Sequence, residues 1–171
     1  MKAANAIPAR PPIRIVPPPP PGHSWESLMR EALAEAVLAR DAGEVPVGAL
    51  VVSGNGDILA RAGNAVERLN DPTAHAEMLA LRAACRAVGN YRLEGCVLLA
   101  TLEPCLMCTG ALVHARLAGL VYGAADPGAG SVSSRLDGLD LPFLNHQVWH
   151  MGGVSEGRCA QLLRDFFKQR R

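Results

Sequence analysis

The sequence predicts a three-layer α/β/α domain in which helices cover both faces of a central five-stranded mixed sheet. Segments with helical spacing alternate along the chain with segments of strand composition, as in layered α/β domains. The run CVLLAT at 96–101 is continuously apolar, which is typical of a strand covered on both faces. The chain has 171 residues, 49% of them hydrophobic, which is enough for one domain with a sizeable core.

The first predicted elements are a helix and a β-hairpin. Apolar residues recur at helical spacing from Trp25 onward, and Gly43 is a C-terminal stop for this helix. VPVGALVVS at 45–53 has the composition of a strand. GNGD at 54–57 predicts a tight turn, after which ILARAG at 58–63 returns as the second strand of the hairpin.

The rest of the chain alternates between helices and strands, and it ends in a helix that Ser155 is expected to cap. The predicted elements are a loop at 64–72, a helix from about Ala74 to Val88 that Gly89 ends, the strand at 96–101, a helix from Leu106 to Leu117, a strand at 120–124, a long loop at 125–145, a strand at 146–151 and the last helix. The last helix carries one apolar stripe of Cys159, Leu162, Leu163, Phe166 and Phe167.

The start of the chain differs in composition from the rest. Residues 8–21 hold eight of the 13 prolines, five of them in a row. This run predicts a disordered or polyproline II extension over residues 1–22, ahead of a domain over residues 23–171. A ligand for a proline-binding partner is the alternative. The prolines break every apolar run, unlike a secretory signal, and no run approaches the ~18 residues of a membrane span.

Charge is unevenly distributed along the chain. Residues 1–22 carry three basic groups and no acid, and residues 164–171 have a net charge of +3. The part between them carries 10 basic and 15 acidic groups, a net charge of −5. Nucleic-acid binding therefore cannot be predicted from net charge. The basic C-terminus is one candidate contact, and the alternative is a solvated helix end, where cations are favourable.

The cysteines favour metal binding or buried thiols over disulfides. There are five, an odd number, and nothing in the sequence indicates export. A cytoplasmic location follows as an expectation. The cysteines are Cys85, Cys96, Cys105, Cys108 and Cys159.

The segment DPTAHAE at 71–77 places His75 and Glu77 in the first turn of a predicted helix. Residues two apart on a helix do not face each other, so they are not a simple surface pair. A structural interpretation is open, in which Thr73 caps the helix and Glu77 complements the positive end of its dipole.

A second cluster of chemically active residues follows the central strand. TLEPCLMC at 101–108 puts Cys105 and Cys108 three residues apart, on one face of a helix. Alone, this pair also fits a redox pair or half a zinc finger. A structural zinc site needs four protein ligands, and the sequence has no second CxxC.

The two clusters together predict a catalytic zinc site. His75, Cys105 and Cys108 make a His/Cys/Cys set with an open fourth position, the pattern of catalytic zinc. Glu77 then fits the role of a carboxylate that moves protons without binding the metal. The order H-A-E and then P-C-x-x-C matches the signature of the zinc nucleobase deaminases.

The chain resembles the cytidine-deaminase-like superfamily over about residues 24–171. HAE and PCxxC mark the superfamily. NYRL, LEPCLMC with the following GALVHAR, and the basic Phe-Phe tail are similar to the bacterial tRNA-specific adenosine deaminases. The matching segments are EVPVGALVV at 44–52, NDPTAHAEMLALR at 70–82, NYRLEGC at 90–96, TLEPCLMCTGALVHAR at 101–116, GAADPGAG at 123–130 and DFFKQRR at 165–171.

The resemblance implies hydrolytic deamination of the wobble adenosine of a tRNA anticodon to inosine. One zinc ion per subunit would be bound by His75, Cys105 and Cys108. Glu77 would take a proton from the zinc-bound water and deliver it to the ring and to the leaving ammonia.

The resemblance also implies how substrate and partner bind. The Asn64 side chain and the Ala76 backbone N–H would contact the target nucleoside. The partners would be tRNA and a second copy of the chain, without a membrane. In this family the loop around Asp126 usually carries basic residues. In this chain, Arg135 is the first basic residue of that loop, which predicts weaker contacts with the RNA phosphates.

Two other functions remain open at this stage. A deaminase of the same fold that acts on free guanine, cytosine or a nucleotide would need the same zinc chemistry. A non-enzymatic, zinc-stabilised binding domain would keep the ligands but would have no use for Glu77.

Overall fold

The computed structural model describes residues 15–170, in which five strands form a single sheet with helices on both faces. The helices and strands are, in chain order, α1 (Trp25–Asp41), β1 (Gly48–Val52), β2 (Ile58–Gly63), α2 (Val66–Leu69), α3 (Ala76–Val88), β3 (Val97–Leu102), α4 (Leu106–His114), β4 (Gly119–Ala124), β5 (Trp149–Met151) and α5 (Glu156–Lys168).

The sheet is mixed, as predicted. Its strand order is β2-β1-β3-β4-β5. Strand β1 pairs antiparallel with β2 and β3, whereas β3, β4 and β5 are parallel. The central strand β3 is the apolar run of the sequence, and its residues from Val97 to Thr101 are buried.

Alternate residues of β1 pack against different layers. Ala49 and Val51 join the hydrophobic cluster that contains α3 and α4. Leu50 and Val52 join the cluster that contains α1 and α5. Because successive strand residues point to opposite faces, a strand covered on both sides is apolar throughout, as GALVV is. The three-layer prediction is therefore confirmed, with α3 and α4 on the same face of the sheet.

The segment between β2 and α3 differs from its prediction. It contains the single-turn helix α2, which is too short to show a helical period in the sequence. Helix α3 begins two residues later than predicted, with His75 at the N-cap position. The interpretation of Thr73 as the cap is wrong, because its hydroxyl donates to the Asp71 carboxylate at 2.7 Å.

The C-terminal elements are shorter or looser than predicted. Helix α4 ends at His114, and β5 has only three residues. Ser155 holds the N-cap position of α5 as expected, but its side chain makes no capping hydrogen bond. Phe167 is 50% exposed, so the last residue of the predicted apolar stripe of α5 is not part of the core. No helix within residues 15–170 has both the length and the apolar character needed to cross a membrane.

Part of the predicted proline-rich extension lies against the domain. Pro20 is buried, and Val16 packs against the cluster that contains α1. The His23 ring nitrogen Nε2 lies 2.9 Å from the Gly56 carbonyl oxygen in the β1–β2 turn. Residues 1–14, the remainder of that prediction, lie outside the described residues.

Candidate metal centre and active site

The two predicted clusters meet at the carboxyl end of β3. Helix α4 starts just beyond this end, with Cys105 at its N-cap position. Helix α3 comes before β3 in the chain, and β3 runs back along it after a short connection. The N-terminus of α3, with His75 at the N-cap, therefore lies at the carboxyl end of β3. Neither N-cap side chain bonds to its own helix, so both are available to the site. Anionic ligands are favourable at such helix N-termini.

The three candidate ligand atoms have the spacing that zinc requires. The His75 Nδ1 atom lies 3.6 Å from both the Cys105 Sγ and the Cys108 Sγ atoms. The two sulfurs are 3.7 Å apart. Tetrahedral zinc with ordinary Zn–N and Zn–S bonds needs ligand separations of roughly 3.6 Å for N–S and roughly 3.8 Å for S–S. The donor set therefore fits zinc with a fourth position left open, and the structure brings the three predicted residues together.

The two thiols differ in acidity. The hydrogen bond between their sulfurs lowers the pKa of Cys105 to about 5, although burial acts in the opposite direction. The same hydrogen bond, together with burial, raises the pKa of Cys108. Cys105 is therefore the more acidic of the two thiols, and a lowered pKa favours the thiolate form that binds metals.

Glu77 lies in the first turn of α3, beside the candidate ligands. It is 4% exposed, and burial raises the pKa of its carboxyl group. Glu77 and His75 both line a cavity of about 280 Å³, just below the usual range for ligand pockets of roughly 300–1,000 Å³. The residues that line this cavity are Glu44, Val45, Val47, Asn64, Val66, Glu67, His75, Glu77, Leu102, Glu103, Cys105, Asp126 and Ala129.

Two further carboxylates in the cavity wall were missed by sequence analysis. Glu44 and Glu103 are 1% and 2% exposed. With Glu77 they are the buried charged side chains among residues 15–170, and all three line this one cavity. The signal that could have revealed them is an acidic residue directly beside a buried strand, in EVPVG and in LEPC.

Glu103 holds the loop after β4 over the site. Its Oε1 atom accepts hydrogen bonds from the backbone N–H groups of Val132, Ser133 and Ser134, at 2.8–3.1 Å. Its Oε2 atom accepts from the Asp126 N–H at 3.0 Å and from the Ser134 hydroxyl. Burial alone would raise the pKa of Glu103, but these donors outweigh it and lower the pKa to about 2. The loop needs a glycine here, because a Cβ atom at Gly130 would lie 2.4 Å from the Glu103 carboxyl carbon.

Replacing Glu103 by Gln is expected to destabilise the protein. The new NH₂ group would face N–H and O–H donors, so at least one charge-assisted hydrogen bond is lost, at a cost of about 1.5–3 kcal/mol. The free energy of unfolding would be measured by urea titration. Glu94→Gln, an exposed carboxylate that precedes the same strand, is the control. Equal unfolding free energies for the two variants would show that Glu103 does not hold the loop.

Of the two predicted substrate-binding residues, only Asn64 lines the cavity. Its backbone N–H donates to the Val47 carbonyl at 2.9 Å. Ala76 is the first residue of α3, and its side chain packs in the core. Only its backbone is therefore available to a ligand. The substrate contacts of both residues stay predictions.

The other cysteines stand apart from the metal cluster. Cys85, Cys96 and Cys159 are free thiols, and within residues 15–170 the candidate metal cluster contains only His75, Cys105 and Cys108. Burial raises the pKa of the Cys85, Cys96 and Cys159 thiols. They are therefore packing residues.

Known proteins share both the fold and the sequence of this chain. Residues 23–124 match the family model of the cytidine and deoxycytidylate deaminase zinc-binding region. The tRNA-specific adenosine deaminase of Aquifex aeolicus is 48% identical over 147 residues, which covers 85% of this chain and 95% of that protein. A solved structure from work on A-to-I editing by tRNA:A34 deaminases at the wobble position of transfer RNA is 43% identical with a TM-score of 0.77, covering 80% of this chain and 99% of that one.

A small-molecule enzyme shares the fold at lower identity. The guanine deaminase of Nitrosomonas europaea is 25% identical with a TM-score of 0.73, covering 84% of each chain.

The α/β/α fold and the His/Cys/Cys site define a zinc-dependent deaminase domain. The donor set and the family agree on one zinc ion per subunit. At 48% identity over nearly the full length of a curated relative, the chain belongs to the tRNA-specific adenosine deaminases.

Proposed function

We propose that this protein deaminates adenosine to inosine at the wobble position of a tRNA anticodon. The observation that carries the proposal is the placement of His75, Cys105 and Cys108 at zinc-binding distances, with Glu77 in the wall of the same cavity. Water adds to C6 of the adenine ring, the bond between C6 and the exocyclic amino nitrogen breaks, and ammonia leaves. Because no electrons are exchanged, no redox cofactor is needed.

His75, Cys105 and Cys108 hold the metal in this proposal. A bound Zn²⁺ supplies a Lewis acid that makes water nucleophilic at neutral pH. The N-termini of α3 and α4 favour the negative charge on the two sulfurs. The chain's contribution is to fix the three donors before the metal arrives, because each is placed by a helix start rather than by a flexible loop.

Glu77 carries the protons. Its carboxylate takes a proton from the attacking water and gives it to the purine ring. It then takes the second proton from the hydroxyl group added at C6 and passes it to the departing amino group, which leaves as ammonia. Its buried position excludes bulk water, so the proton stays with the reacting groups. In this proposal the carboxylate that moves protons is therefore not itself a metal ligand.

Asn64 and Ala76 orient the nucleoside in this proposal. The Ala76 N–H belongs to the first turn of α3, where backbone donors are not used within the helix. The Asn64 side chain lines the cavity, where its amide nitrogen lies 3.3 Å from a Glu44 carboxylate oxygen. The cavity has room for one base, so the target adenosine must leave the anticodon stack to enter it.

The C-terminal helix offers cations to the RNA backbone. Lys168 and Arg170 are exposed at its end. The Arg170 guanidinium group lies 4.3 Å from the centre of the Phe166 ring and donates to the Gly43 carbonyl, so its position is fixed. Fixed cations suit phosphate contacts, which here must offset the absence of basic residues in the loop before Arg135.

We also propose that the chain acts as a homodimer. An apolar groove of about 340 Å³ lies between α3 and α4, lined by residues that include Met78, Leu81, Tyr91 and Ala111. Tyr91 is 64% exposed there, so much of its aromatic side chain is available to a second copy of the chain. We place the protein in the cytoplasm, since its five cysteines are all free.

The test is inosine formation by the zinc-loaded protein. A tRNA with adenosine at the wobble position is incubated with the protein, and inosine is quantified after nuclease digestion. A parallel reaction contains free guanine, the substrate class of the N. europaea relative. Inosine at the anticodon with no ammonia from guanine is expected. Ammonia from guanine with unchanged tRNA would show instead that the protein deaminates a free base.

A further inference from the structure

Glu44 is a buried carboxylate with no part in the chemistry proposed above. It is 1% exposed and lines the same cavity as His75 and Cys105. Its Oε1 atom accepts a hydrogen bond from the Arg68 N–H at 2.7 Å. Its Oε2 atom accepts from the Glu67 N–H at 3.2 Å and from the Asn64 Nδ2 atom at 3.3 Å. A buried charge is stable only with such partners, so all three donors belong to one arrangement.

The chemistry of this arrangement determines which way the Asn64 amide points. An ionised carboxylate only accepts hydrogen bonds, so Asn64 must turn its NH₂ group toward Glu44. The amide oxygen Oδ1 then points away. It has no hydrogen-bond partner among residues 15–170, although Asn64 lines the cavity. Since no fully buried side-chain oxygen or nitrogen in this part of the chain lacks a partner, Oδ1 is open to a ligand or to water.

We propose that Glu44 is a positioning residue that fixes the Asn64 amide in one orientation toward the bound nucleoside. The inference rests on the proposed function, in which Asn64 contacts the substrate. The cavity then presents the Oδ1 acceptor and the second Nδ2 hydrogen at constant places. Without Glu44 the amide could rotate by half a turn, and donor and acceptor would exchange places.

The same carboxylate ties this orientation to the local fold. The N–H groups of Glu67 and Arg68 belong to the first turn of α2, which has no side-chain cap of its own. Glu44 therefore fixes the short helix and the Asn64 amide together. This explains why a four-residue helix persists beside the cavity.

Replacing Glu44 by Gln is expected to turn the Asn64 amide over and to slow inosine formation. The Gln oxygen is expected to stay with the Arg68 N–H, the shortest of the three contacts. The new NH₂ group then faces Asn64 and can only donate, so the Asn64 amide turns over. The value of kcat/KM for inosine formation should fall roughly 10- to 100-fold, the effect of one or two mismatched hydrogen bonds.

The experiment is a double-mutant cycle on zinc-loaded protein with wobble-adenosine tRNA. It compares wild type, Glu44→Gln, Asn64→Ala and the double variant, with zinc content and unfolding midpoint measured for each. If Glu44 acts through Asn64, Glu44→Gln lowers kcat/KM in the wild type but has no further effect in the Asn64→Ala background. Glu31→Gln, a carboxylate that pairs with Arg61 on the surface, should leave kcat/KM unchanged.

The outcomes separate this inference from the proposed function. A loss from Glu44→Gln that persists in the Asn64→Ala background overturns the positioning role, and so does unchanged kcat/KM in Glu44→Gln. A wild-type protein that forms no inosine overturns the proposed function itself. If Glu44→Gln does not fold, the side-chain amide signal of Asn64 in wild-type NMR spectra decides. A hydrogen-bonded, slowly exchanging Nδ2 proton supports the inference, and a freely exchanging pair overturns it.

Discussion

Replacing Glu77 by Gln is expected to keep zinc bound and to lower the rate of inosine formation by about 10²–10⁴-fold, the usual contribution of a general acid–base group. Glu77 is 4% exposed and lies in the first turn of α3, two residues after His75. Gln has nearly the same shape but cannot carry a proton, so the substitution removes proton transfer and leaves the packing. The rate would be measured in single turnovers, with zinc determined in the same sample.

A matched control for this variant is Glu156→Gln. Glu156 is the acidic residue in the first turn of α5, so its substitution removes the same favourable interaction with a helix N-terminus. It does not line the cavity, and its variant should therefore keep the wild-type rate. Near-normal turnover by Glu77→Gln would exclude Glu77 from the chemistry and return it to the purely structural interpretation.

Replacing Cys108 by Ala is expected to remove zinc and stability together. Its sulfur lies 3.6 Å from the His75 Nδ1 atom and 3.7 Å from the Cys105 sulfur, so only two protein donors would remain. Zinc that binds only the folded state contributes about 4 kcal/mol at a thousandfold excess over its Kd. For a chain of this size, the loss corresponds to a fall in Tm of roughly 8–16 °C. Metal analysis and thermal unfolding with and without a chelator would measure both effects.

Cys159→Ala controls for the loss of a buried thiol. Cys159 is 1% exposed on α5 and lies outside the metal cluster. Its variant should lose some packing energy yet keep one zinc per chain, and its Tm should still fall when a chelator is added. Stoichiometric zinc in Cys108→Ala would show that a different side chain completes the metal site.

The layered fold could be predicted because its elements are long enough to show a pattern. The central strand is apolar throughout, and the two glycines expected to stop helices, Gly43 and Gly89, both have positive φ angles, 85° and 71°. Helix α2 and strand β5 could not be predicted in this way, because elements of four and three residues have no period. Helix α2 depends instead on the carboxylate of Glu44, which lies more than twenty residues earlier in the chain.

The candidate metal ligands could be predicted because few types of side chain bind zinc, and the spacing between them is restricted. His75, Cys105 and Cys108 meet as the motifs indicate. Glu44 and Glu103 could not be assigned a role from sequence, since most of their partners are backbone N–H groups. Every residue except proline supplies such a group, so no pattern of residue types marks the pairing.

The distance along the chain between the metal ligands determines when the protein can acquire its metal. Thirty residues separate His75 from Cys105, and the strand β3 lies between them. In a newly synthesised chain the two cysteines are neighbours, but bringing the histidine to them costs loop-closure entropy. That cost is met only when β3 has paired with β1 and α3 has packed on the sheet. We therefore expect metal uptake to be a late step of folding, so that the metal-loaded fraction of newly made protein measures how much of it has formed the complete sheet.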